Sequence, residues 1–295
     1  IAAKGFEHIP AFVCGTNFLP IPEWFAQKYP TIFALTYQGQ KVQLASEAVD
    51  PPENEFWTNV ESPVLNALKR SFIQTGLSKV NAAANIKLWG MDGETLHPNP
   101  QYRADYGGDA MHHFRNWLMQ KYGTISALNA AWSSSFTSFW AVTAPMPEWN
   151  TTQPNLDWLT FRSQTLAEYV QQFYAIHLSQ RPNDLHFSWL HDTGMRSDEA
   201  KRFGPIAPFY AQVGDGLNAD PIVRPPDYAY HTKYFETMAS FGKPVISKEH
   251  SYYPRPPAPE DIRFLLYQAL GMGVHSLGLI AWQQDAGTID WSIEG

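Results

Sequence analysis

The stretch Ile86-Lys87-Leu88-Trp89-Gly90-Met91-Asp92-Gly93-Glu94 decides the fold and the chemistry that we expect of this chain. Its apolar part has the length and composition of a buried strand. The run ends abruptly in two carboxylates, Asp92 and Glu94, with a glycine between them. A second predicted strand, Val245-Ile246-Ser247-Lys248-Glu249, also ends in a glutamate. We therefore ask whether Glu94 and Glu249 form a catalytic pair or are ordinary polar strand ends.

Length and composition restrict the class of protein. The 295 residues suffice for one large α/β barrel or two ordinary domains. Charged residues make up 17% of the chain and aromatic residues 15%. Most of the eleven tryptophans are expected to fill a core. The aromatic excess nevertheless suits a sugar-binding protein, because Trp and Tyr rings stack on the apolar faces of sugars.

Charge and cysteine content exclude several functions. The formal charge of −7 disfavours a nucleic-acid partner, which would require clustered Lys and Arg. A single cysteine, Cys14, cannot form a disulfide within the chain or a cysteine-rich zinc site. No apolar run approaches 18 residues, so we predict no membrane span. The compartment does not follow from these features.

Predicted strands and helices alternate along the chain, which favours a parallel sheet in one domain over residues 1–295. Strands are expected near residues 10, 87, 187, 215, 246 and 279. Helices are expected after Pro22, from Pro63 to about Lys79, on both sides of Gly123-Thr124, and over Leu156–Arg181, Tyr228–Phe241 and Asp261–Leu270. The polar stretch Gln38–Asn59 is expected to be a long surface loop.

In a parallel barrel, reactive groups lie at the carboxyl ends of the strands. These ends carry polar and aromatic residues, and we expect substrate contacts from eight residues in or after the strands: Asn17, Trp89, Asp92, Trp189, His191, Asn218, Asp220 and Trp282. A doubly wound open sheet would also gather its strand ends on one edge. However, the chain has neither a G-x-G-x-x-G nor a G-x-x-x-x-G-K phosphate loop, and no cofactor is indicated.

Two glutamates on nonadjacent strands of one barrel suit glycoside hydrolysis. A retaining glycosidase holds its two carboxyl groups about 5–5.5 Å apart, one as acid/base and the other as nucleophile. Glu94 is the better acid/base, because a charge on Glu249 would keep it protonated. Regular strand alternation places Lys248 on the face opposite to Glu249, so Lys248 is not counted as a partner.

Other hydrolytic chemistries find less support. The ten histidines include no H-x-x-x-H or H-E-x-x-H pattern, so we predict no metal site, although a metal-dependent barrel hydrolase stays as a third reading. A serine hydrolase would require a G-x-S-x-G elbow, which the chain lacks.

Several segments resemble glycoside hydrolase family 42, the bacterial β-galactosidases of clan A. They are Gly15-Thr16 with Pro20, Pro22, Trp24 and Tyr29-Pro30; Ser62-Pro63; Phe114–Leu118; Lys121–Trp132; and Leu156-Asp157 with Phe161-Arg162-Ser163. The resemblance implies a TIM barrel of which this chain supplies the third to eighth strands. It also implies a retaining mechanism, with Glu94 as acid/base after the fourth strand, Glu249 as nucleophile after the seventh, and Trp282 as an aromatic platform.

The chain departs from the family in three ways. The family has Asp-Asn-Glu where this chain has Asp92-Gly93-Glu94, and Gly93 cannot hydrogen-bond the sugar 2-hydroxyl as that asparagine does. The single cysteine excludes the family's cysteine-ligated zinc. Third, barrel strands one and two are absent, so we expect either a fragment of a longer chain or a further polypeptide segment that completes the barrel. A homo-oligomer stays open.

We therefore expect a retaining, exo-acting, β-galactosidase-like glycosidase whose partner is an oligo- or polysaccharide. The alternative from another class is a non-catalytic carbohydrate-binding barrel, in which Gly93 marks lost catalysis. A clan A glycosidase with specificity for glucose, fucose or arabinose is also compatible with the sequence.

Overall fold

The computed structural model describes residues 21, 23–42, 56–80, 88–90, 105–146, 150–191, 208–209, 211–220, 222–223, 228–252 and 259–279. The α-helices in these ranges are α1 (Glu23–Lys28), α2 (Pro63–Lys79), α3 (Gly108–Tyr122), α4 (Ile125–Trp132), α5 (Gln153–Gln180), α6 (Tyr228–Ser240) and α7 (Pro259–Gly271). The strands are β1 (Leu88–Gly90), β2 (Leu185–His191), β3 (Gly216–Asp220), β4 (Ile222–Val223), β5 (Val245–Tyr252) and β6 (Val274–Leu279). Short 3₁₀ helices span Pro30–Ile32 and Phe139–Ala141.

The strands form one parallel sheet in the order β1-β2-β3-β5-β6, and short β4 pairs with the last part of β5. Strands that follow one another in the chain therefore lie side by side, apart from β4. Since all pairs are parallel, the carboxyl ends share one edge of the sheet. This arrangement confirms the predicted α/β fold with a parallel sheet. The strand predicted near residue 10 lies outside the described residues.

The main hydrophobic core lies between the sheet and the helices that cover it. The strands contribute Trp89, Leu217, Ala219, Val245 and Val274, and α5 and α6 contribute Val170, Phe173, Phe235 and Met238. Side chains alternate along a strand, so Leu217 and Ala219 face the helices while Asn218 lies on the opposite face. That opposite face is the one available to line a barrel interior.

Local capping chemistry sets several helix boundaries where the sequence predicts them. Leu65 N donates to Ser62 Oγ at 3.4 Å, and Pro63 occupies the first turn of α2. Gly123 ends α3 with a φ of +69°, a conformation that favours glycine. Thr124 Oγ1 then accepts a hydrogen bond from Ala127 N at 3.2 Å and begins α4.

The predicted surface loop at Gln38–Asn59 is wrong at both of its ends. Ala34 N donates to Trp57 O, Trp57 N donates to Val42 O, and Val42 N donates to Ala34 O, each at 2.9 Å. Ala34, Val42 and Trp57 are also buried together in a small core. The backbone on either side of this stretch is therefore held in a compact three-segment unit, and residues 43–55 lie outside the described residues.

Candidate active site

The residues predicted on β2 and β3 occupy matched positions on neighbouring strands. Trp189 is the register partner of Asn218, and His191 is the register partner of Asp220. His191 and Asp220 are the last residues of their strands, at the carboxyl edge of the sheet. Asn218 is buried, with 1% of its surface exposed. The fold thus brings the backbones of four predicted site residues together.

Glu249 lies within β5, not beyond its end. We expected Glu249 to end the strand, but the strand continues to Tyr252. The pairing of β3 with β5 reaches Ala219 and Ser247, so Glu249 follows that pair by two residues towards the carboxyl edge. Pairing of the last part of β5 with β4 and β6 explains the longer strand, since a sequence pattern does not contain these contacts.

The backbone of β5 is irregular at the proposed nucleophile. Ser247 pairs with Leu277 and His250 pairs with Leu279, so β5 takes three steps where β6 takes two. One extra residue in a strand breaks regular alternation and can redirect a side chain, which is why such irregularities occur beside active sites. Across residues 247–250 the backbone of β5 is therefore out of step with that of β6 by one residue.

The placement of Trp89 contradicts its predicted role in substrate binding. Its side chain is fully buried in the layer between the sheet and the helices. The indole Nε1 donates to Asp184 Oδ2 at 2.9 Å, and the ring packs edge-on against His177 of α5. The reason is alternation: residue 89 belongs to the face of β1 that packs on helices, so Trp89 is a core residue.

The remaining predicted residues, Asn17, Asp92, Glu94 and Trp282, lie outside the described residues, as does Gly93. The separation of the Glu94 and Glu249 carboxyl groups therefore stays a prediction.

A buried ionic cluster was not anticipated from the sequence. Arg162 of α5 forms an ion pair with Glu61, and their side chains are 3% and 4% exposed. Asp105 is fully buried nearby, and its Oδ1 accepts hydrogen bonds from Leu35 N at 2.7 Å and Gly107 N at 2.6 Å. Burial, and next the charge of Glu61, raise the pKa of Asp105 to about 7, against the opposing effect of Arg162.

We predicted site residues only in or directly after the predicted strands. Glu61, Asp105 and Arg162 do not directly follow any predicted strand, so this cluster was not predicted. Asp105 ties the chain that returns from β1 to the segment at Leu35, and Glu61 lies just before α2. Only Arg162 falls in a segment that carries the family resemblance. Among the described residues, no group of three His, Cys, Asp or Glu side chains is placed to hold a metal ion. No described helix is long and apolar enough to cross a bilayer.

The family profile described as beta-galactosidase, glycoside hydrolase family 42, matches residues 11–193, which is more than half of the chain. The chain belongs to this family. The match includes β1, β2 and the segment that contains Glu94. The match confirms the resemblance seen in the sequence. That Gly93 replaces the family asparagine stays a prediction from the sequence.

Two relatives and one solved structure show the extent of the similarity of this family 42 chain. A beta-galactosidase of Arthrobacter sp. is 28% identical over 162 residues, 52% of this chain and 22% of that protein. A thermophilic beta-amylase of Thermoanaerobacterium thermosulfurigenes is 28% identical over 165 residues, 49% of this chain and 29% of that protein. The crystal structure of a cold-adapted beta-galactosidase from Rahnella sp. R3 superposes with a TM-score of 0.75 at 18% identity, covering 97% of this chain and 42% of that one.

These similarities confirm the fold as that of the TIM-barrel glycosidases, and the described sheet forms part of such a barrel. The family 42 chain spans less than half the length of these relatives.

Proposed function

We propose that this family 42 chain supplies the catalytic sheet of a retaining, exo-acting, β-galactosidase-like glycosidase. The family match over residues 11–193 carries the proposal. It is supported by the shared carboxyl edge of the parallel strands, where His191 and Asp220 are register partners and Glu249 lies on the next strand. The substrate would be the non-reducing end of a β-galactoside.

In the proposed reaction Glu94 is the acid/base and Glu249 the nucleophile. Glu94 gives its proton to the glycosidic oxygen while the Glu249 carboxylate attacks the anomeric carbon and the bond to the leaving group breaks. Water then gives a proton to Glu94, attacks the anomeric carbon and releases Glu249, so that the product keeps its configuration. The two carboxyl groups would lie about 5–5.5 Å apart.

The other predicted residues would bind the sugar hydroxyls and rings. Asn218 and Asp220 on β3, Trp189 and His191 on β2, and Asn17, Asp92 and Trp282 retain this proposed role, while Trp89 does not. Gly93 removes one hydrogen bond to the sugar 2-hydroxyl, an interaction that strengthens in the transition state. We therefore expect slower turnover than in a family member with asparagine there, and Gly93→Asn should raise kcat.

Kinetics of glutamine variants test the assignment. Glu249→Gln should abolish turnover of every aryl β-galactoside. Glu94→Gln should abolish turnover of galactosides with a poor leaving group but spare the first step for a dinitrophenyl galactoside, whose leaving group needs no proton. Glu260→Gln, at an exposed position at the start of α7, is the control and should behave as the parent chain. Full activity in both glutamine variants would show that the pair is misassigned.

A β-amylase-like reaction is the second candidate, because one relative is named as a thermophilic beta-amylase. Soluble starch and an aryl β-galactoside should be tested in parallel. The configuration of the released sugar, followed by NMR, separates retention from inversion, which requires carboxyl groups about 6.5–9.5 Å apart. Saccharide binding without any turnover would instead support the non-catalytic carbohydrate-binding barrel.

A further inference from the structure

A cavity of about 420 Å³ lies between α2, α3 and α5, and no predicted catalytic residue lines it. Its size is within the roughly 300–1,000 Å³ range of small-molecule sites. The lining is dominated by planar side chains that can donate or accept hydrogen bonds, among them Asn66, Asp109, His112, Asn116, Glu168 and Gln172. A polar cavity of this kind suits a ligand with many hydroxyl groups.

The three acidic side chains of the cavity differ in their neighbours. Glu61 is paired with Arg162, and Glu168 Oε2 lies 3.6 Å from His113 Nε2. Asp109 lies in the first turn of α3, where the helix dipole favours a carboxylate. No Lys or Arg is among the residues that line the cavity. The cavity therefore offers little to an anion, while its amide, imidazole and hydroxyl groups can bind a neutral ligand through hydrogen bonds.

Two buried oxygens on lining residues lack a hydrogen-bond donor among the described residues. One is Asn66 Oδ1, whose amide nitrogen donates to Val60 O at 2.7 Å. The other is Glu61 Oε2, whose partner oxygen is paired with Arg162. Buried acceptors without donors are uncommon, and water or a bound molecule usually satisfies them. Both oxygens have almost no exposed surface, so they lie behind the cavity wall and do not contact a ligand in the cavity directly.

An exposed tryptophan adjoins the cavity. The Trp140 ring stacks on the ring of His112, with centroids 5.3 Å apart and an interplanar angle of 29°, and His112 lines the cavity. Trp140 nevertheless remains 51% exposed. A large exposed aromatic face beside planar hydrogen-bonding groups is the combination that binds a sugar, whose C–H face stacks while its hydroxyls bond.

We propose that this cavity and Trp140 form a second saccharide-binding site, separate from the strand ends, for a neutral oligo- or polysaccharide. Trp140 stacks on one sugar ring, and the amides of Asn116 and Gln172 bind its hydroxyls. The site would hold a polymeric substrate on the enzyme between catalytic events. The role in holding a substrate and the choice of β-linked galactan as the first probe rest on the proposed function, whereas the binding site itself does not.

Affinity electrophoresis in gels that contain soluble β-linked galactan tests this site. Trp140→Ala and Asn116→Ala should each weaken binding about fivefold or more, which corresponds to about 1 kcal/mol. The matched control is Trp24→Ala, since Trp24 is an exposed tryptophan on α1 and does not line the cavity. Trp24→Ala should bind galactan as the parent chain does, and all three variants should keep the parent Tm and the parent turnover of a small aryl β-galactoside.

Unchanged galactan affinity in both Trp140→Ala and Asn116→Ala would overturn the proposal. So would the absence of binding by the parent chain in galactan, starch and xylan gels. Failure of the proposed reaction can be told apart from failure of the binding site. If only the reaction is wrong, the aryl galactoside is not turned over, but galactan binding still depends on Trp140.

Discussion

At the scale of single residues, Gly216 marks a place where the sheet has no room for a side chain. It is the register partner of Phe187, and a Cβ at position 216 would lie 2.6 Å from Phe187 Cζ. Gly216 and Phe187 belong to neighbouring strands, so the Phe187 ring cannot move away without disturbing the pairing of these strands. The glycine is therefore required by close packing, and its φ is not in the left-handed region.

Gly216→Ala should consequently lower the free energy of unfolding by about 1–3 kcal/mol, the usual effect of overpacking. Urea denaturation measures this loss. Gly271→Ala is the matched control, because a Cβ at position 271 meets no atom within 4 Å. It should be neutral or slightly stabilising, and equal effects of the two substitutions would contradict the packing argument.

Asp105 makes stability depend on pH in the neutral range. Its pKa rises from 3.8 to about 7 on folding, chiefly through burial. Between these values the unfolded chain has lost the proton while the folded chain retains it, so the contribution of Asp105 to stability falls as pH rises from about 4 to about 7. The full loss is of the order of 4 kcal/mol and is complete above pH 7.

Asp105→Asn should flatten this decline. The asparagine keeps the oxygen that accepts from Leu35 N and Gly107 N, and it cannot ionise. Urea unfolding at about pH 5 and about pH 8 should give a smaller difference in stability than in the parent chain. Glu260→Gln, a substitution of an exposed carboxyl group, should leave the difference unchanged. A decline of the same size in Asp105→Asn would exclude Asp105 as its source.

At the scale of elements, Asp157 joins the α3–α4 pair to α5. The carboxylate is buried, with its side chain 1% exposed. It accepts hydrogen bonds from Lys121 Nζ at 2.6 Å, Tyr122 Oη at 2.6 Å, Trp132 Nε1 at 2.9 Å and Gln153 Nε2 at 2.7 Å. The donors come from three helices, so one acid fixes the packing of all three.

Asp157→Asn should loosen this packing, because an amide offers one acceptor oxygen where the carboxylate offers two and loses the charge that pairs with Lys121. We expect a loss of about 1–3 kcal/mol, because the donors at the buried carboxylate lose acceptor capacity, whereas Lys121 is 38% exposed and stays solvated. Hydrogen exchange should rise first in α3 and α4. Burial and the hydrogen bond to Asp157 raise the pKa of Tyr122 to about 12, so the variant should also lower the pKa of Tyr122 in an ultraviolet titration.

A substitution that only weakened a helix would not shift the pKa of Tyr122. Asp109→Asn, on the first turn of α3, provides the comparison, because Asp109 makes no contact with Tyr122 in the described network. An unchanged Tyr122 titration in Asp157→Asn would contradict the role of Asp157 as the hydrogen-bond acceptor.

Helix ends were predictable from sequence because their determinants are local. The Ser62-Pro63 start and the Gly123-Thr124 break rest on hydrogen bonds and φ angles within a few residues. The end of β5 was not predictable in this way, because β4 and β6 extend it by pairing. Trp89 was misjudged for a related reason: an apolar run predicts a strand, whereas the buried face depends on the elements packed against it.

At the scale of the whole molecule, alternating strands and helices were enough to predict the parallel sheet and the common edge of its strand ends. They also predicted that His191 and Asp220 lie at that edge on neighbouring strands, and the register places them there, while their role in a site stays a prediction. The cluster of Glu61, Asp105 and Arg162 required the folded chain, because burial and charge come together there from three separate segments. A group of side chains that meet from distant segments leaves no periodic pattern in the sequence, so sequence periodicity cannot predict it.

The core between the sheet and α5 should make the whole molecule sensitive to acid. His177 is fully buried there, and burial, with the nearby His186, lowers its pKa from 6.5 to about 3. Burial also lowers the pKa of His186, although Asp215 opposes the effect. Below pH 6.5 the unfolded chain binds protons that the folded chain excludes, so the contribution of these histidines to stability falls as pH decreases from about 6.5 towards 3, opposite in sign to that of Asp105.

The expected slope is up to about 1.4 kcal/mol per pH unit for each histidine that stays neutral in the fold. His177→Leu fills a similar volume and cannot bind a proton, so it should reduce the slope measured by urea unfolding between about pH 7 and pH 5. His275→Gln, a substitution of an exposed histidine on β6, should not. If His177→Leu kept the parent slope, protonation of this core would not be what limits stability in acid, and the decline would have to arise from other groups.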